Sequence, residues 1–209
     1  ENSFQHKCNN VSNLIRPIRD YKYADVGEAD VFAHECGIVL KTCSNVCAEA
    51  KQIEEDRRIL GMDQIDYGHV YAVLKEIKEY SRLWFIIAEI QRFYEKVLET
   101  DVSQYPADYA LDKIKGQWLP ELHKLSKIFS GLAIQHEILS LTKSKLLLLK
   151  KHDKVFRLLV DDCLRKRHWI ALKGVFDTDR KVSDHDNQQN NDETTNYKVI
   201  LGDVFHSGI

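Results

Sequence analysis

The stretch "VYAVLKEIKEYSRLWFIIAEIQRFYEKVL", Val70 to Leu98, decides the fold of this chain. Val70, Val73, Ile77, Tyr80, Trp84, Ile87, Tyr94 and Leu98 recur in alternating steps of three and four. Only Gln91 is polar on that seam. This is the period of an α-helix packing side by side with another at a shallow angle. Leu83, Ile90, Phe93 and Val97 widen the stripe beyond a two-stranded seam, which suits a helix touching two neighbours in a bundle.

The same period appears on either side. Phe32, Cys36, Val39, Cys43, Val46, Ala50, Ile53 and Leu60 predict a helix over about 28–60, broken only at Arg57. "GMDQIDYG" interrupts it, with Gly61 and Gly68 as punctuation and Asp66 as a candidate N-cap. Downstream, Leu111, Ile114, Trp118, Leu122, Leu125 and Phe129 predict a third helix over about 107–130. Pro120 should kink it near Gly116–Trp118 or restart it there. A fourth segment, 135–151, carries Ile138, Leu141 and the run Leu146–Leu149. A short helix over 154–162 should follow.

The predicted fold class is mostly α: an elongated bundle of long antiparallel helices, with a polar disordered loop near the C-terminal end. Its organisation reads as an irregular lead-in over 1–24, a bundle over 25–176, a flexible loop over 177–196 and a further element over 197–209. Ser183–Thr195 has no apolar residue in 13 positions, so it cannot bury surface to offset ordering entropy. Three prolines and nine glycines in 209 residues also favour long helices over many-turned β architecture.

Composition narrows the chemistry. A net charge of −2 with 30% charged residues describes a balanced surface, which argues against generic nucleic-acid binding. No window reaches the roughly 18 apolar residues of a membrane span, so no membrane insertion is expected. Five irregularly spaced cysteines do not form a secreted disulfide framework and read as reduced intracellular thiols. The first residue is not methionine and the last motif stops mid-pattern, as in a piece of something larger.

There is no G-x-x-x-x-G-K-[ST] and no G-x-G-x-x-G to cradle phosphate. Cys43 and Cys47, with His34 and Cys36 upstream, are a weak zinc lead. Cysteines on an apolar seam more simply act as small hydrophobes. Cys163 and His168 lie near Asp161 and Asp162, but five residues apart on a helix they point away from each other. Arg165, Lys166, Arg167 and Trp169 are a basic, aromatic cluster, offset by the same two aspartates. The reading is therefore no catalytic, cofactor or metal residue. Trp84, Trp118, Leu122 and Phe129 are core anchors, and Leu164, Arg165, Arg167, His168 and Trp169 a structural joint.

The order of these motifs carries a resemblance. The 59–96 stretch ending in "RFYEK" is followed by "LPELHKLSKIF" (Leu119–Phe129), "LRKRHWIALKGVF" (Leu164–Phe176) and "YKVILGDVFHSGI" (Tyr197–Ile209). Over about 53–209 the series resembles the dynein heavy chain where its tail passes into the linker, ahead of the AAA+ ring. Residues 1–52 match only as generic helical bundle. The joint then extends to Leu201, Gly202 and Asp203. The polar loop separates "RHW" from "LGD" widely and points to a divergent heavy chain.

The resemblance implies a force-transmitting segment of an ATP-driven microtubule motor. ATP and Mg would belong to the motor ring, with no cofactor in this segment. Partners would be other parts of the heavy chain and, through the parent complex, intermediate and light chains and microtubules. The ciliary axoneme is favoured over the cytoplasm, because most heavy-chain types are ciliary. The rival reading is a spectrin-like scaffold that tethers partner proteins.

Overall fold

The computed structural model describes residues 2–20, 26–101, 104–160, 168 and 201–202. Its described elements are all helical: α1 (Asn2–Arg19), α2 (Ala29–Ile59), α3 (Gly68–Glu99), α4 (Ala107–Asp112), α5 (Leu119–Ile128) and α6 (Ala133–Val160). A π-helical turn, Lys113–Trp118, joins α4 to α5. No β-strand occurs among the described residues. The mostly α class is thus the observed one.

By packing, the chain divides into two compact units. One comprises residues 1–91 and 121–143, the other 92–120 and 144–209. The expected loop over 177–196 lies outside the described residues, as does all of 197–209 except Leu201 and Gly202.

In the first unit, α1 corrects the expectation of an irregular lead-in over 1–24. Cys8, Val11, Ile15 and Ile18 are buried at steps of three, four and three. That seam prevails over the polar composition and over Pro17, which sits in the final turn of the helix. Lys7 pairs with Glu49 of α2, and Arg19 grips Glu76 of α3 through Nε and Nη2 at 2.9 and 2.6 Å. Such exposed pairs contribute about 0.2–1 kcal/mol each, so the buried seam dominates.

Along α2 the buried residues are small: Ala29, Ala33, Cys36, Cys43, Val46, Cys47 and Ala50. Leu60, expected on the seam, is instead 71% exposed. The helix has ended before it. Gly61 takes φ of 65°, Met62 N–H bonds to the Arg57 carbonyl at 2.9 Å and Gly61 N–H to the Arg58 carbonyl at 3.3 Å. This is a Schellman C-cap, which uses a left-handed glycine to satisfy the last carbonyls. Arg57, the break in the pattern, donates from Nε to the Asp63 carbonyl at 2.7 Å and ties down the turn. Asp66 then accepts the Gly68 amide at 2.7 Å, where α3 begins.

The α3 seam is inside. Val70, Val73, Ile77, Tyr80, Trp84 and Ile87 are buried, with Leu83 and Ile90 beside them. Trp84 stacks on Phe32 of α2 with centroids 4.8 Å apart, and Tyr80 meets Phe129 edge-on at 5.1 Å. Arg82 holds Glu121 of α5 in an ion pair.

The expected third helix is interrupted where Pro120 predicts, but by a π turn. Leu119 N–H reaches back five residues to the Ile114 carbonyl. In an unbroken α-helix the proline ring would strike the carbonyl four residues before it, that of Gly116. Widening the turn ahead of Pro120 relieves that clash while leaving Ile114 and Trp118 buried.

One further expectation is corrected. The fourth segment does not stop near 151 and restart at 154; α6 is continuous to Val160. "KKHDK" holds no glycine or proline, so polarity alone does not end the helix. A run of four leucines must wrap the helix, and only Leu146 and Leu149 are buried, while Leu141, Leu147 and Leu148 are exposed.

Candidate functional site

The core anchors lie where a core needs them. Trp84, Leu122 and Phe129 are buried in the first unit, and Trp118 is buried in the second. The joint is only partly described. Leu164, Arg165, Arg167, Trp169 and Asp203 lie outside the described residues, as do Asp161, Asp162, Cys163 and Lys166. His168 is helical and half-buried. Leu201 and Gly202 are buried at the C-terminal end of α3.

There the backbone comes close. Leu201 N–H donates to the Thr100 carbonyl at 3.1 Å. A Cβ on Gly202 would stand 3.0 Å from the Leu98 carbonyl oxygen. Thr100 itself closes the end of α3, its amide bonding to the Val97 carbonyl and its hydroxyl to that of Lys96 at 2.6 Å. Helix-end carbonyls need such partners. "LG" is thus a backbone dock on α3: the leucine fills a buried position and the glycine permits the approach.

The same unit holds an aromatic and ionic cluster that periodicity does not foretell. Tyr105 packs edge-on against Phe156 of α6 at 5.0 Å. Burial pushes its phenol up to about 12, with Asp153 adding to the effect. Arg157 joins Asp153 at 2.8 Å to Asp108 of α4 at 2.7 Å, and these hydrogen bonds hold its guanidinium pKa further up. The Asp153–Arg157 half is readable as an i, i+4 pair. Asp108 is 49 residues away and carries no such signal. Trp118 packs on Phe93 at 5.0 Å, and Lys113 Nζ stands 6.0 Å from the indole centroid.

The thiol lead resolves into packing. Cys36, Cys43 and Cys47 are buried, and burial pushes Cys36 up to about 12 and Cys43 up to about 11. Thiols so raised are poor nucleophiles. Cys47 Sγ–H donates to the Val70 carbonyl at 3.6 Å. Among the described residues, no group of three or more His, Cys, Asp or Glu side chains could hold a metal ion. Nor is any described helix long and apolar enough to cross a membrane.

A family model described as dynein heavy chain, N-terminal region 2, matches residues 70–209. The chain belongs to the dynein heavy chain family. The match opens at the first turn of α3 and takes in the Leu201–Gly202 dock, while α1 and α2 precede it. No curated protein and no solved structure matches the chain significantly. The dynein heavy-chain region therefore includes every element of the second unit and, in the first, α3, α5 and the start of α6.

Proposed function

We propose that this segment transmits force within a dynein heavy chain, at the passage from tail to linker, and performs no catalysis of its own. The observation that carries the reading is the family match over 70–209, which covers the dock of Leu201 and Gly202 on the end of α3. Long helices with continuous buried seams suit the role, because the roughly three to four hydrogen bonds that span each turn bear axial tension together. ATP and Mg act in the motor ring, and no cofactor is held in this segment. The segment works with the ring and tail of its own chain and, through the whole complex, with intermediate and light chains and microtubules. The ciliary axoneme is the favoured location, because most heavy-chain types are ciliary.

The test is made in the whole heavy chain. Gly202→Val should disturb the dock and leave the ATP sites intact. Microtubule gliding should slow severalfold while ATP turnover in the absence of microtubules is retained. Unchanged gliding, with the dock shown to be disturbed by amide exchange, would remove the mechanical role. Loss of ATP turnover in a folded variant would remove the separation from catalysis.

A further inference from the structure

Among the described residues of the second unit, one face of α6 is exposed along its length. On α6, Leu147, Lys150, Lys151, Lys154 and Leu158 stand at positions i, i+3, i+4, i+7 and i+11 of one helix face, and all are exposed. Leu147 is 44% and Leu158 67% exposed. Asp153, the one acidic residue of 144–160, is buried and bonded by Arg157. None of the three lysines makes an ion pair with a described residue, whereas Lys7, Arg19, Arg58, Arg82 and Lys124 each meet a carboxylate.

We propose that this face of α6 binds an acidic amphipathic helix of another polypeptide. A ridge with leucines near its ends, and between them three cations that no described carboxylate meets, calls for a partner with apolar residues and carboxylates on one side. Helices recognise each other through such anchors at i, i+3, i+4 and i+7, and charge complementarity selects among partners. A chain with a net charge of −2 overall has no general excess of base to explain a face this one-sided. A bilayer surface fits less well. Interfacial helices bury a continuous apolar face, while these two leucines lie about 16 Å apart along the axis, with lysines between them.

The experiment uses the full heavy chain in its native complex. A photo-crosslinking amino acid replaces Leu147 or, separately, Leu158, and the crosslinked peptide is sequenced. The expected product is a peptide from another chain with carboxylates and apolar residues on one helical face. Its yield should fall at least tenfold in the triple variant Lys150→Glu, Lys151→Glu, Lys154→Glu. The altered side chains are exposed, so an unchanged melting temperature keeps that loss interpretable. Crosslinks to lipid, to the same heavy chain, or to a peptide without acidic residues would overturn the proposal. So would the absence of any crosslink, or a yield indifferent to the charge reversal.

Discussion

Leu201 N–H bonds to the Thr100 carbonyl at 3.1 Å, so the "LGD" motif is anchored through its backbone to the end of α3. Gly202 is tightly approached: a Cβ would meet the Leu98 carbonyl oxygen at 3.0 Å, so that backbone has to give by a few tenths of an ångström. Gly202→Ala should therefore destabilise the second unit by about 1–3 kcal/mol, the usual range for overpacking. Thermal unfolding together with exchange of the Leu201 amide checks this. An unchanged melt with full amide protection would show that the dock tolerates a methyl group.

Trp84 anchors the first unit through burial and its stack on Phe32. Trp84→Ala should cost about 3–5 kcal/mol. Chemical denaturation read at far-ultraviolet wavelengths measures it. A loss below 1 kcal/mol, in the range of surface changes, would mean the seam relaxes around the void.

Gly61 ends α2 with φ of 65° and has open space around its missing side chain. The cost of Gly61→Ala is therefore purely conformational, about 1–2 kcal/mol. Gly61→Asn should recover part of it, since asparagine tolerates the left-handed region. Equal stability of the two variants would argue against the left-handed cap.

Acid should weaken the protein in two stages. Burial, and next the nearby charge of Lys151, hold the His152 pKa below its ordinary 6.5. The unfolded chain therefore takes up this proton first. Stability falls as pH drops below about 6.5, until the folded-state value is passed. Glu121 runs the other way in pKa: the Arg82 hydrogen bond holds its carboxyl below 4.5. Its contribution is complete above that value and is lost as pH falls through the lower folded-state value. Arg82 is well exposed, so this contribution is small, about 0.2–1 kcal/mol. Melting temperatures across pH 3–8 should lose the upper step in His152→Gln and the lower step in Glu121→Gln. Curves superimposable on wild type would contradict both assignments.

What the sequence reveals follows from what periodicity can carry. The α3 seam is legible because each buried residue lies three or four from the last, and its neighbours cannot contradict it. The same rule contains α1 in Cys8, Val11, Ile15 and Ile18, but Pro17 and many polar residues obscure it. Leu60 fails because an apolar pattern is blind to a helix end, which is set by the φ of Gly61. The Arg157–Asp108 bond was out of reach for a different reason. It depends on where two distant segments meet, and no local signal encodes that. Motif order, by contrast, was enough to identify the family.

The π turn at Lys113–Trp118 has a consequence for how such a chain can change length. It holds one residue more than an α-helical path between the same two ends would need. Elsewhere in these helices, deleting a residue would rotate every side chain beyond it by about 100° and scramble the buried face. Here, removing Gly116 together with the Pro120→Ala exchange restores the ordinary register and keeps α4 and α5 in phase. The proline that interrupts the helix thus marks where its evolution can add or drop a residue without rebuilding the core.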